Sequence, residues 1–482
     1  MSKKEKKKGS GLDYKQTFLI GFGFLACMLF WSIYNSYVPL ILTHKLEDMG
    51  LGGKTILGFI TVPLIVNAIM TIDNIFGVIF QPMFGKISDR THSKLGKRMP
   101  FILRGLPICA VCFTLIPILA GLNFGGWEIA LMMLVIIGFN FTMSTWRSPV
   151  VAMMPDYTPS ELQSDGNAVI NIMGGVGQAL GFLLATILGF LGFKEAIKQG
   201  NYISLFASGA LLALVFMCVL YIFVKKNVHK DLSAKEQAIE DKENTNQKEK
   251  KIKIKNLDMS KEEKRSLLFC LFGLFFICNA SEALVPNFTV FAEKALHVDN
   301  PMISTIMMLV FALSLAAFAV PAGILGRKWG RKKTISLGLV VVVIMFLIYI
   351  AVAMVMPAIF GEAEWVETAT WIMLWIALVC GGAAIAMVNI NTLPIVLAMG
   401  GRDLVGTFTG YYYTATFAAA ITGPILCGGL IGLFNNNYNA MFLFCSVAFL
   451  IGLLLFIPVK HGEVSADDEA WLEEAVEAAS DD

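Results

Sequence analysis

The chain has 482 residues, 56% of them hydrophobic and 15% charged, against about 25% charged in an ordinary soluble domain. That composition excludes an ordinary soluble globular protein. Runs of about 20 apolar residues, enough to cross a bilayer core of about 30 Å, recur along the whole length. The formal net charge of +2 says little; its distribution carries the information.

The N-terminus, "MSKKEKKKGSGLDYKQ", is basic, and the apolar run after it is long enough to span and stay, so no cleavable signal is expected. Twelve spans follow, at 17–42, 55–84, 100–121, 127–153, 167–191, 203–224, 266–290, 302–325, 334–357, 369–398, 405–433 and 439–458. The short loop after span two holds Lys86, Arg90, Lys94, Lys97 and Arg98; the loop after span eight holds Arg327, Lys328, Arg331, Lys332 and Lys333. The loops "GEAEWVE" and "NNNYN" after spans nine and eleven hold no cation. Lys and Arg concentrate on the cytoplasmic side, so both termini are expected there.

The expected organisation is a basic cytoplasmic N-terminus (1–16), a six-helix bundle (17–224), a charged linker (225–265), a second six-helix bundle (266–458) and an acidic tail (459–482). The linker is dense in both charge signs, which suits a solvated segment with partial helix. The tail can form a short amphipathic helix through Trp471, Leu472, Ala475 and Val476. The halves echo each other. "RSPVVAMM" in span four answers "TLPIVLAM" in span ten, and each half has its charged loop after its second span. Repeated halves are a mark of secondary transporters.

An ionisable group inside the bilayer is expensive and is a functional candidate by default. In span one, Trp31, Tyr34 and Asn35 share a face. An aromatic ring beside amides suits a sugar, although core packing explains any single ring equally well. In span two, Asn67, Asn74 and Gln81 recur every seven residues with Asp73 adjoining, one polar stripe directed at the bundle. Asp73 is the strongest coupling candidate; the structural alternative is a carboxylate permanently paired with an arginine. Span four sets Asn140, Ser144 and Arg147 on one face. Helix rises of roughly 13 Å and 18 Å put Arg147 and Asp73 at similar depths, so they can pair, or Arg147 can bind sugar hydroxyls. Span five repeats the pattern with Asn167, Asn171, Gly174 and Gln178, and Gly177 with Gly181 allows close helix contact. Its amides read equally as interhelical glue or as sugar ligands.

Span seven carries Asn279 and Glu282, the second coupling candidate, before Pro286, expected to kink the helix. Spans ten and eleven add Asn389, Asn391, Thr392 and the run Tyr411, Tyr412 and Tyr413. These three cannot all face one way, and Tyr412 is taken for the cavity. Nine cysteines lie in or beside apolar runs without a CxxC pair and read as buried small hydrophobes. The five histidines, His44, His92, His229, His297 and His461, fall in expected loops or tails, and no metal site or cofactor follows from them.

"GKISDRTHSKLGKR", Gly85 to Arg98, resembles the loop motif of the major facilitator superfamily, G-x-x-x-D-R-x…G-[RK]-[RK], with extra residues before the second glycine. That spacing, followed by "PFI", resembles the glycoside–pentoside–hexuronide cation symporters. "QPMFG" and "WRSPVVAMMPD" are similar to the branch holding plant sucrose transporters, and "NASEALVPNFTVFAEKAL" to its bacterial members. The sequence departs from that branch in two places. Arg327 stands where the second-half motif has an acid, and Ile136 where plant members have an Asp, so coupling through that Asp is unavailable.

The resemblance and the residues imply an all-α membrane protein, twelve transmembrane helices in two pseudo-symmetric six-helix bundles around a cavity. The expected function is proton-coupled symport of a sugar or glycoside by alternating access, with Asp73 and Glu282 coupling. Asn35, Asn74, Gln81, Asn140, Arg147, Asn171, Gln178, Asn279, Asn389, Asn391 and Tyr412 would line the cavity. Gly85, Asp89, Arg90, Gly96 and Arg98 would form a conformational latch; the alternative is a topogenic cluster that only fixes orientation. The partners are a small-molecule substrate, a coupling cation (H+ preferred to sodium, since no acid cluster suits a sodium cage) and the lipid bilayer, with no nucleic acid, and the chain reads as a monomer. Its place would be the cell membrane. The alternatives are a drug or metabolite antiporter of the same superfamily, or a non-transporting sensor. A membrane hydrolase would need a nucleophile–base or metal set, which no intramembrane histidine helps build.

Overall fold

The computed structural model describes residues 13–52, 60–123, 126–158, 163–228, 259–361, 363–400, 404–463 and 476. Twelve helices carry the described chain, numbered here in order. The first six are α1 (Tyr14–Leu46), α2 (Val62–Asp89), α3 (Met99–Ala120), α4 (Trp127–Tyr157), α5 (Gln163–Leu188) and α6 (Ile203–Asn227). The second six are α7 (Lys261–Leu296), α8 (Pro301–Trp329), α9 (Arg331–Ile350), α10 (Glu364–Gly400), α11 (Val405–Leu433) and α12 (Ala440–Phe456). Eleven are long and apolar enough to cross a membrane, and α12 is a shorter apolar helix.

Most of the linker (229–258) and of the acidic tail lie outside the described residues, as does the expected tail helix apart from Val476. Helices outrun their hydropathy windows at several ends. The last turn of α1 holds His44, expected in a loop, and α7 runs as one helix through Pro286.

Packing repeats with an offset of six. In the first half α1 packs on α5 and α6, α2 on α4, and α3 on α4 and α6; in the second, α7 packs on α11 and α12, α8 on α10, and α9 on α10 and α12. The same pairs recur, so the duplication inferred from short sequence echoes is a duplication of helix contacts. Each bundle is knotted by aromatic rings. Phe30, Phe113, Phe139 and Phe206 pack together in one, and Phe291, Phe346, Tyr349 and Phe442 in the other. Edge-to-face pairs add about 0.5–1.5 kcal/mol each, useful where lipid removes the hydrophobic drive between helices.

The bundles meet along α1 with α7, α2 with α11, and α5 with α8. Small residues bring α11 onto α2. A Cβ on Gly428 would stand 2.6 Å from the Pro63 carbonyl oxygen. Gly177 and Gly181 of α5 pack on the backbone of α1 at Leu25 and Leu29, as expected of a small-residue pair.

Candidate functional site

α2 is interrupted. It starts after extended Thr61 with Pro63 in its first turn, then breaks at Thr71 between Met70 and Ile72. The Thr71 hydroxyl bonds back to the Ala68 carbonyl at 2.8 Å, and the Asn74 amide N–H donates to the Asp73 carboxylate at 2.6 Å instead of continuing the ladder. The break sets Asp73 in the first turn of a new helical segment, where amide dipoles favour a carboxylate.

Asp73 lies within electrostatic reach of Glu282 from α7 and Arg147 from α4. Glu282 on α7 is exposed, and its charge is felt at Asp73 in the other bundle. Asp73 and Arg147 form no direct ion pair. The Arg147 guanidinium instead lies over the Trp31 ring, 5.7 Å from its centroid. Tyr34 stacks on Phe139 at 4.9 Å and its hydroxyl accepts a 3.1 Å bond from Asn140 Nδ2. The buried Trp31 indole N–H and Asn140 Oδ1 have no hydrogen-bond partner. Two acids, one arginine and an aromatic wall with spare polar atoms can hold a proton and a polyhydroxy ligand side by side.

The remaining amides divide. Asn74 donates to the Ala420 carbonyl of α11 at 3.2 Å, across the bundles. Asn35, Gln81 and Gln178 are half-buried, and Asn389 is exposed. Asn171 is exposed and bonds Asn167 at 3.1 Å. Tyr412 meets Tyr413 edge-on at 5.5 Å. Asn279 and Asn391 are hydrogen-bonded to their own and neighbouring helices. Asn279 donates to the Phe275 carbonyl and accepts from Thr422, while Asn391 donates to the Ala322 and Met387 carbonyls. An amide in an apolar helix is satisfied most cheaply by the next helix, which periodicity cannot distinguish from a ligand.

The charged loop between α2 and α3 centres on Arg98. Its Nε donates to Asp156 Oδ2 at 2.8 Å and its Nη2 to Oδ1 at 3.4 Å, while Nη1 bonds Ser88 and pairs with Asp89. Burial opposes the charge on Arg98, but Asp156 and Asp89 outweigh it and hold the pKa above its ordinary value. Gly96 turns the loop at φ +80°, in the left-handed region. A Cβ on Gly85 would stand 2.9 Å from Ser148 Oγ, so α2 hugs α4 here. Arg90 ends α2 exposed and lies outside the Arg98 cluster. The second half answers differently: Glu463, past α12, accepts from the Arg331 and Lys332 amides at the start of α9, at 2.9 and 2.8 Å.

A model of the family described as MFS/sugar transport protein matches residues 19–435. The chain belongs to that family. The sucrose transport protein SUT5 of Oryza sativa subsp. indica is 29% identical over 125 residues, 23% of each chain. The sucrose transport protein SUC3 of Arabidopsis thaliana is 28% identical over 123 residues, 22% of this chain and 21% of that one. The uncharacterized symporter sll1374 of Synechocystis is 27% identical over 156 residues, 30% of this chain and 29% of that one. The match thus spans less than a third of these relatives' lengths. Among solved structures, a D-xylose-proton symporter superposes with TM-score 0.62 at 14% identity, over 92% of this chain and 98% of its own. A bacterial homologue of the iron transporter ferroportin, in an inward-facing state, gives 0.66 at 12% identity over the same shares. These likenesses establish the fold of a membrane transporter, not of an enzyme.

This MFS sugar-transport chain also carries polar contacts that sequence reading missed. Asn67 and Asn287 exchange amide bonds of 2.8 Å in both directions, joining α2 to α7. Near the end of α1, His44 bonds Glu293 at 2.7 Å and Glu47 pairs with Lys294 at 2.6 Å, joining α1 to α7. Asn287 lies five residues past Glu282, the one signal that could have exposed it; the ionic pairs sit where hydropathy ends.

Proposed function

We propose that the chain carries a sugar or glycoside together with a proton by alternating access. It would sit in the cell membrane as a monomer with both termini cytoplasmic, the side where its Lys- and Arg-rich loops lie. The reading is supported by one arrangement: Asp73 lies within electrostatic reach of Glu282, from the opposite bundle, and of Arg147, which stacks on Trp31. A proton on either acid removes a charge that is costly to desolvate, so the loaded carrier reorients more easily than the half-loaded one. Arg147, Trp31 and Asn140 offer donors, a ring face and a spare acceptor to hydroxyls. The cross-bundle contacts of α1 with α7 and α2 with α11 close the far side, and opening them alternates access to the same chamber.

The test is uptake into proteoliposomes driven by an acid-outside gradient. Accumulation of a mono- or disaccharide is expected in the parent protein. Asp73→Asn and Glu282→Gln should each lose accumulation at least tenfold while keeping sugar counterflow, which needs no proton flux. Both variants retaining gradient-driven accumulation would discard the coupling assignment. Counterflow of lipophilic cations without counterflow of sugars would discard the substrate.

A further inference from the structure

A groove of about 450 Å³ opens between the first turn of α1 and the last turns of α6, away from the central chamber. Its floor is apolar, made by Leu19, Val219, Ile222 and Phe223. Its rim is polar, and most of the rim is already engaged. Asp13 Oδ1 accepts from the Gln16 amide at 3.1 Å, Gln16 Nε2 donates to the Tyr157 carbonyl at 2.7 Å, and Asn227 Nδ2 donates to the Phe223 carbonyl at 2.9 Å. Lys15 and Lys226 are exposed and make no ion pair among the described residues. Beside them Lys225 leans over the Tyr221 ring, 5.8 Å from its centroid.

The groove lies at the end of the first bundle that carries the Arg98 loop, since Gln16 bonds Tyr157, the neighbour of Arg98's partner Asp156. At this level the apolar helices give way to charged residues, where hydrocarbon meets water. Tyr14 and Phe18 are exposed here. Two rim lysines with no ion pair among the described residues, beside an apolar floor, suit a molecule with an anionic head and a hydrocarbon chain. We propose that this groove binds an anionic phospholipid, its phosphodiester between Lys15 and Lys226 and one acyl chain along Leu19, Val219, Ile222 and Phe223. A soluble anion uses only the rim. A zwitterionic lipid brings its own cation against the two lysines.

The full chain, purified in detergent, is offered phosphatidylglycerol or phosphatidylcholine at equal concentration, and retained lipid is counted by native mass spectrometry. Phosphatidylglycerol should be retained about tenfold more strongly, in line with the attraction of two lysines at a membrane surface. K15Q/K226Q should bring that preference close to unity; K328Q, an exposed lysine at the end of α8, should leave it intact. The single variants K15Q and K226Q should each remove part of it, and they carry the test if the double variant does not fold. Equal retention of both lipids, or an equal loss in K328Q, would reduce the groove to general surface charge and overturn the proposal. Displacement of phosphatidylglycerol by millimolar inorganic phosphate would make it a small-anion site and overturn it too.

Discussion

Bonds within a bundle and bonds between bundles are built differently; the charged-loop end shows the first kind, and the opposite end carries the second beside a dry in-bundle pair, Lys45 with Glu128 at 3.3 Å. At the end with the charged loop, Arg98 ties Ser88, Asp89 and Asp156 together, all within the first bundle. At the other end, His44 with Glu293, Glu47 with Lys294 and Asn67 with Asn287 tie one bundle to its partner. Among the ion pairs, Asp89 aside, exposure follows that division, while the Asn67–Asn287 amide pair between the bundles is buried. The Arg98 and Asp156 side chains are each 9% exposed, whereas His44, Glu293, Lys294 and Glu47 range from 25% to 38%. A bond within a bundle travels with it and can be strong without hindering a rocking motion. Under the proposed alternating access, a bond between bundles breaks in every cycle and is best kept weak, as water at half-exposed pairs keeps it.

Breaking the dry cluster tests the comparison hardest. Asp156→Asn leaves Arg98 buried without its main partner, which should cost about 3 kcal/mol and show as a lower melting temperature in detergent. Asp89 is 52% exposed, so Asp89→Asn should cost under about 1 kcal/mol. Any effect of Asp89→Asn on transport beyond that loss would favour a latch over a charge that only fixes orientation. Equal costs at Asp156 and Asp89 would remove the distinction between dry and wet charge at this end.

At the opposite end, neighbouring glycines give the next contrast. Gly428→Ala places a methyl 2.6 Å from the Pro63 carbonyl oxygen, while at Gly429 the nearest atom is 3.9 Å away. The first substitution should push α11 off α2 at a cost of about 1–3 kcal/mol and slow transport severalfold; the second should do neither. Matching transport rates in the two variants would show that this close approach does not govern closure. A smaller effect is expected from Lys294→Gln, about 0.5–1 kcal/mol at a half-exposed pair. Amide hydrogen exchange should then rise in the last turns of α1 and α7. Unchanged exchange would mean that the ionic pairs hold nothing closed.

The sequence displayed the scaffold because apolar length is the strongest signal a membrane chain carries. All twelve spans correspond to helices, with errors at the ends where helices leave the hydrocarbon; span seven was expected at 266–290 and the helix is Lys261–Leu296. His44 was assigned to a loop for the same reason. Asp73, Glu282 and Arg147 stood out because charge in an apolar run is rare, and Asp73 lies within electrostatic reach of the other two. The amides were not separable in advance. Asn74, Asn279 and Asn391 have the same spacing logic, and all three bond carbonyls or a threonine on their own or adjacent helices. Periodicity gives a face; what that face meets depends on helix order and crossing, which no single segment encodes. Asn287 shows the limit from the other side. Its partner Asn67 is 220 residues away.

That amide pair carries the most diagnostic effect. Asn67 and Asn287 each donate to the other, and each also bonds a carbonyl of its own helix, at Pro63 and Ala283. Losing the partner therefore does not strand the whole side chain, and membrane amide pairs of this type contribute about 0.6 kcal/mol, up to about 1.7. In a cycle of Asn67→Ala, Asn287→Ala and the double variant, followed by thermal unfolding in detergent, the coupling should be about 1 kcal/mol, with the double variant little worse than either single. Strict additivity would mean that the two amides do not hold the bundles together. A coupling several times larger would be just as damaging to the mechanism. Reversing a conformational balance from 1:99 to 99:1 takes about 5.5 kcal/mol in all, so one contact that strong would leave the substrate and proton too little to open the far side.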